Sequence, residues 1–415
     1  MSIPSFIQFV NASPTPWHAV QNATKQLTSC GFQEIAESDD FSLLTPGQKY
    51  LTTRNGSSLF AFILPTGPIE KTLLLGSHTD SPSFKLKPNP LFLKDNLVMM
   101  GLEVYGAPLL TSWFNRDLGV AGRIVIETSE GSYKTVLIDM SETPVILAQL
   151  AIHLDRDVNE KGFTVNKQEA LNAIVGLNET LPSLEEFLKV SGKIIAHDLF
   201  LYPIEKAGLV GMKQKLIAGY RLDNLASVFA SIEALIQKTP SSNTLQGIAL
   251  WDHEEIGSQS HFSAGSSFVR SILERLTKNL EQYHQVISRS LCLSIDLAHA
   301  THPNFNDKHE PRHPIRLEQG IVLKYSAGYR YATDGETSAL LIQSAKSHSI
   351  PLQQFVSHSN IPAGSTIGPI HAGTTGMRAL DIGIPQLSMH SAREIIAIAD
   401  MENLQKLLTS FSLEP

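Results

Sequence analysis

Short apolar runs, each closed by a residue able to do chemistry, recur along this chain. Residues 71–77, Lys-Thr-Leu-Leu-Leu-Gly-Ser, lead into His78. Residues 245–251 lead into Asp252-His253-Glu254-Glu255, residues 291–295 into Asp296, and residues 384–389 into His390. Runs of this length and apolarity predict buried strands. Sites in open α/β sheets form outside the carboxyl ends of strands, so the repeated placement says more than the residue types alone. A different pattern follows Asp223. Leu225, Val228, Phe229, Ile232, Leu235 and Ile236 recur at helical spacing, which puts Asp223 in a first turn, able to point back at the strand ends. Another helix is expected after Ser13-Pro14-Thr15-Pro16, with Ser or Thr as cap and proline in the first turn.

Between about Pro88 and Gly211 the texture changes. Residues 122–127 and 133–138 flank a Ser-Glu-Gly-Ser turn and read as a β-hairpin. More β-like runs follow at 193–196 and 199–203. The expected architecture is α/β: a discontinuous catalytic domain over 1–87 and 212–415, split by an inserted β-rich domain over 88–211. No internal repeat or low-complexity linker marks the joins.

Composition narrows the class. The chain has 415 residues, 42% hydrophobic and 18% charged, which suits a large globular core. Its net charge of −7 argues against a nucleic-acid or anionic-membrane partner. Cys30 and Cys292 are too few for a disulfide framework or a thiolate zinc site. No signal peptide and no membrane span is expected, and the location expected is cytoplasmic.

Taken singly, His78, His390, Asp223 or Asp296 would more often be structural. Together with Glu254 and Glu255 they make two imidazoles and four carboxylates, five of the six at apparent strand ends. Zinc takes nitrogen and carboxylate ligands, and a bridging carboxylate can hold two ions about 3.5–4 Å apart. One carboxylate must stay off the metals to move the proton of the attacking water. Asp80, two residues beyond His78, can orient its imidazole. The residues alone leave open which ligand serves which ion. The histidines at 299, 302, 309 and 313 lie in a polar, Pro-rich stretch that reads as a loop rather than a second metal site.

The motifs SHTDSP, RLDN, DHEEIGS, SIDLAHATHPNFNDKHEP, RYATD, GSTIGPI and PQLSMHS, beginning from SPTPWHAV, occur in the order seen in the aspartyl aminopeptidase family. The chain resembles that family over nearly its whole length. The resemblance implies a three-layer α/β/α zinc-peptidase domain with an inserted dimerisation domain. It also implies two Zn2+ per subunit, with Co2+ or Mn2+ as possible substitutes. His78 and Asp296 would bind one ion, Glu255 and His390 the other, with Asp223 bridging and Glu254 as general base. As in related two-zinc peptidases, the Asp223-Asn224 peptide is expected to be cis.

Family members remove N-terminal Asp or Glu, so a cation is expected in the pocket; Lys324 and Arg330 are the candidates. His153, in Ala151-Ile152-His153-Leu154, matches a family motif whose histidine reaches a partner subunit's active site. The likeness further suggests a dodecamer built from dimers and peptide substrates with acidic N-termini. Where members read Arg-x-Asp and Cys-Gly-Ser-Thr, this chain has His358-Ser359-Asn360 and Ala363-Gly364-Ser365-Thr366. A fixed positive charge is lost there, which leaves room for a broader preference. Two competing functions are a related two-zinc amidohydrolase or carboxypeptidase, and a non-catalytic zinc-dependent scaffold. Glu254 has no purpose in the scaffold.

Overall fold

The structure, a computed structural model, describes residues 2–128, 131–177 and 180–413. The chain divides into two compact units. One comprises residues 1–80, 208–389 and 394–415; the other comprises 81–207 with 390–393. The division after Asp80 precedes the change in sequence texture near Pro88, because the strand Ser83–Lys94 begins before the prolines that mark that change.

The first unit is built on a nine-stranded sheet. Its order is Gln33–Glu34, Lys49–Arg54, Ser58–Ile63, Thr244–Trp251, Lys71–His78, Leu291–Ile295, Arg378–Gly383, Ile321–Tyr325, Leu352–Val356. The four strands from Thr244–Trp251 to Arg378–Gly383 run parallel. Each is almost wholly buried, which is why each reads as an apolar run. Alternate residues serve opposite faces. Phe60, Phe62, Leu74, Ala249, Trp251 and Cys292 join Phe268, Ile272, Tyr283 and Ile367 in one core cluster. The helix Leu222–Gln237 packs on strands Lys71–His78 and Thr244–Trp251, with helices Ile3–Asn11, Pro16–Ser29 and Ile398–Ser410 against it. This is an α/β fold with helices layered on the sheet, as expected.

Two helices open the chain where one was expected. Ile3–Asn11 is capped by the Ser2 hydroxyl, and Pro16–Ser29 follows with proline at its start. The run 384–389 also differs from expectation. The main sheet receives Arg378–Gly383, and Pro385–Leu387 crosses to a smaller five-stranded sheet with Gly208–Val210, Leu216–Gly219, Glu394–Ala397 and Ala298–His299. The continuous apolar stretch hides this change because both strands are buried.

The second unit is a closed six-stranded barrel, in order Ile194–Pro203, Ser83–Lys94, Leu97–Tyr105, Asn172–Leu177, Tyr133–Ile146, Asp117–Glu127. The hairpin is present and longer than its sequence signal, pairing Glu127 with Tyr133. Ser129 and Glu130 of its turn lie outside the described residues. The two β-like runs near 193–203 form one strand, irregular between Ile194 and Ala196. A local register shift of this kind breaks the alternation that sequence reading relies on. Among the described residues, no helix is long and apolar enough to cross a membrane.

Candidate active site

Sheet order brings three sequence-distant strand ends side by side. His78 ends the central strand and pairs in register with Trp251, so residues 252–255 leave the sheet beside it. On the other side Leu291–Ile295 delivers Asp296. The Asp296 N–H donates to the Ile382 carbonyl at 2.9 Å, extending the ladder by one residue. Gly383 permits this approach, since a Cβ there would stand 1.9 Å from the Asp296 carbonyl oxygen.

His78 is 1% exposed, and its Nε2 stands 3.4 Å from an Oδ1 of both Asp223 and Asp296. That is longer than an ordinary N–H···O hydrogen bond of about 2.7–3.2 Å. It matches ligands on a shared tetrahedral zinc, which at bonds of about 2.0–2.2 Å stand roughly 3.3–3.6 Å from one another. Ligand atoms of His78, Glu254 and Glu255 also lie within 4.8 Å of one another. One imidazole and several carboxylates, convergent and largely buried, are the donor set zinc takes. The residues fit the metal.

Asp80 does more than its spacing suggested. The His78 Nδ1 meets the Asp80 main-chain oxygen at 3.1 Å and its carboxylate at 3.5 Å. The two carboxylate oxygens also accept from the N–H groups of Glu254 and Glu255, each at 3.1 Å. One buried carboxylate therefore touches the histidine and fixes the short 3-10 turn Glu254–Ile256. This turn starts from His253 at φ 65° and ends at Gly257 at φ 93°.

Asp223 opens its helix in non-helical conformation, and the Asp223-Asn224 peptide is cis, as expected. Its N–H donates to Glu394 at 3.0 Å, while Asn224 Nδ2 donates to the Ile295 carbonyl at 2.8 Å, tying the turn to the Asp296 strand. Arg221, buried with φ 64°, donates to the carbonyls of Ser13 and Thr79. Sequence reasoning assigned no role to Arg221, Asn224 or Glu394. The first two lie inside the RLDN motif, but nothing local distinguished Glu394.

The electrostatics suit a cation. Burial alone would push His78 down, but the carboxylates of Asp223, Asp296 and Asp80 outweigh it and raise it well above its usual value. Glu254 is pushed up by burial and then by Glu255, Asp296 and Asp80, against the pull of His78. Burial, and then the neighbouring Asp80, push Asp252 well above the usual carboxylate range.

Lys324 is 3% exposed, not a surface charge. Its Nζ donates to the Leu297 carbonyl at 2.7 Å, stands 3.4 Å from Asp296 Oδ2 and lies 5.5 Å from the Tyr331 ring centroid. Burial would lower its pKa, but Asp296 and then Tyr331, Asp381 and Asp223 hold it above its ordinary range. Arg330 is exposed. In the barrel unit, His153 is exposed in a turn, and His390 places Nδ1 3.1 Å from the Ala107 carbonyl.

Convergent imidazole and carboxylate ligands at the carboxyl ends of parallel strands define a metal-dependent hydrolase of the α/β class. Residues 9–412 match the family described as Aminopeptidase I zinc metalloprotease (M18). A probable M18 family aminopeptidase 2 of Pseudomonas aeruginosa strain PAO1 is 37% identical over 420 residues, covering 98% of this chain and 96% of that protein. Ape4, from the cryo-EM structure of the Ape4 and Nbr1 complex, superposes with a TM-score of 0.93. It is 34% identical, with 99% of this chain and 85% of that chain covered. The yeast mApe1 dodecamer structure gives a TM-score of 0.86 at 27% identity, with coverage of 98% and 95%. The chain belongs to the M18 family of zinc aminopeptidases.

Proposed function

We propose that this aminopeptidase works with two zinc ions per subunit and prefers peptides with N-terminal Asp or Glu. By the motif likeness, His78 and Asp296 would hold one ion and Glu255 and His390 the other, with Asp223 shared between them. Co2+ or Mn2+ can substitute, since the donor set is nitrogen and oxygen only. The 3.4 Å spacing of His78 Nε2 from both Asp223 and Asp296 supports the first ion; the second ion and the acidic preference rest on the motif likeness to the family. The assignment of His390 rests on the PQLSMHS motif and its likeness to the family.

Zinc bound there supplies Lewis acidity to the peptide carbonyl and acidifies a water. Glu254 would take a proton from the attacking water on its carboxylate and return it to the departing amine nitrogen. Burial and the neighbouring Glu255, Asp296 and Asp80 raise its pKa, the direction expected of a carboxylate that must take up a proton. Asp80 holds the turn that carries Glu254 and Glu255, and it supports His78.

Lys324 supplies the buried cation for an acidic N-terminal side chain, with Arg330 as the second candidate. In this reading residues 88–211 form a dimerisation domain, His153 reaches the active site of a partner subunit, and dimers assemble into a dodecamer. The mApe1 dodecamer supports that assembly by likeness. The expected location is cytoplasmic.

The decisive test compares Glu254→Gln with Glu255→Gln. The first keeps its zinc and loses roughly 10²–10⁴-fold or more in kcat; the second loses zinc. Equal zinc loss in both would remove Glu254 from the role of free base.

A further inference from the structure

The SPTPWHAV motif near the start of the chain and Arg221 of the RLDN motif take no part in the chemistry proposed above, yet they meet. Arg221 is buried, with its backbone in the left-handed region at φ 64° and ψ 23°. A non-glycine residue stays there only where its surroundings hold it. One arm of the guanidinium, Nη1, donates to the Ser13 carbonyl, and the other, Nη2, to the Thr79 carbonyl. The planar, permanently charged fork of arginine fixes the angle between two acceptors, which the point charge of lysine does not.

Both acceptors are themselves held. The Thr79 N–H donates to the Trp251 carbonyl at 2.7 Å, and its Oγ1 donates to the Ser57 carbonyl at 2.8 Å. Ser13 lies in the corner between helices Ile3–Asn11 and Pro16–Ser29. Its N–H donates to the Val10 carbonyl at 3.1 Å. Asn22 Nδ2 donates to the Ser13 hydroxyl at 3.1 Å and to the Ala12 carbonyl at 2.8 Å. Thr15 and His18 close the same corner, with Thr15 Oγ1 2.7 Å from His18 Nδ1.

Placement gives the clamp its consequence. Thr79 directly follows His78, and Arg221 precedes Asp223 by two residues. The contacts therefore close a ring. It runs from His78 to the Thr79 carbonyl, through the guanidinium to the Arg221 backbone, and along the chain to Asp223. It returns to His78 over the 3.4 Å between the two ligand atoms.

We infer that Arg221 is a positioning residue that sets the spacing of His78 and Asp223, with the corner at Ser13 as its anchor. The N-terminal helices are then part of the support of the metal site as well as a cover for the sheet. The inference rests on the active-site reading above for the roles of His78 and Asp223.

The test uses the full chain, with zinc affinity read by competition with a chelator. The visible absorption of the Co2+-loaded chain reports ligand geometry, and urea unfolding reports folding. Arg221→Lys keeps the charge and loses the fork. Its zinc affinity is expected to fall about 10–100-fold, typical of a group behind a ligand. Its Co2+ absorption should shift, and at saturating zinc kcat should fall with KM little changed. Asn22→Ala, at the far end of the clamp, should lower zinc affinity about two- to tenfold, the value of one neutral hydrogen bond. A purely structural Arg221 would lower resistance to urea and leave both metal readouts as in wild type. Arg221→Lys that folds with wild-type zinc affinity and Co2+ absorption overturns the inference. Should Arg221→Lys not fold, Asn22→Ala decides, and an unmoved zinc affinity there overturns it. His78→Ala separates the two readings: wild-type zinc affinity in that variant would mean that the ligand assignment fails, not the clamp.

Discussion

Asp80→Asn isolates the residue that links the histidine to the catalytic turn. In the wild type both Asp80 oxygens accept from N–H groups, those of Glu254 and Glu255, at 3.1 Å each. Asparagine keeps one oxygen and puts an NH₂ where the other acceptor was. One N–H of the turn then faces a donor. The lost charge-assisted hydrogen bond is worth about 1.5–3 kcal/mol, and the unsatisfied buried donor costs about 1–3 kcal/mol more. Asp80 is 1% exposed, so water cannot readily replace the contact. Part of this cost is relieved by movement of Glu254 and Glu255, the groups proposed for proton transfer and zinc binding. The expected result is a 10–100-fold loss in zinc affinity, typical of a partner behind a ligand. At saturating zinc, a further fall in kcat is expected with KM changed less. Zinc affinity by competition with a chelator and steady-state kinetics at several zinc concentrations read the two effects separately. Unchanged zinc affinity together with unchanged kcat at saturating zinc would refute the role of Asp80 in holding the turn.

Gly383→Ala would force a methyl group towards the Asp296 main chain, 1.9 Å from its carbonyl oxygen. An overpacking cost of about 1–3 kcal/mol is expected, with zinc affinity and kcat/KM both reduced; a fully active, equally stable variant would contradict the close approach. Lys324→Met should lower the ratio of kcat/KM for acidic over neutral N-terminal residues about ten- to hundredfold. If activity on both falls equally, Lys324 serves Asp296 alone. His371, fully buried beside the Trp251 ring, is held down to about 4 by burial. An unfolded histidine titrates near 6.5, so between that pH and about 4 the unfolded chain binds a proton that the folded chain does not. Stability from this group is thus present above pH 6.5 and lost as pH falls towards 4, by at most about 3 kcal/mol. Urea unfolding at pH 7 and pH 5 should show His371→Leu losing less stability on acidification than wild type, and identical losses would exclude the effect.

The local pattern of the chain carried much of the fold. The strands ending at His78, Trp251 and Ile295 were visible because strands buried on both faces need unbroken apolar sequence. The helix behind Asp223 was visible because one face of it meets the sheet every three or four residues. The motif likeness named the same ligand candidates and the class of enzyme. Tertiary structure decided which strand ends are neighbours. Residues near 78, 255 and 296 converge because Lys71–His78 pairs with both Thr244–Trp251 and Leu291–Ile295, and no local periodicity encodes the order of parallel strands. The same limit hid the crossing of Pro385–Leu387 to the smaller sheet, since two buried strands of different sheets look alike in sequence. It also hid the burial of Lys324 against Asp296 and the contact of Glu394 with Asp223. Chemistry-bearing residues announce themselves by type and local setting, but their partners lie far along the chain, and only the packed sheet brings them together.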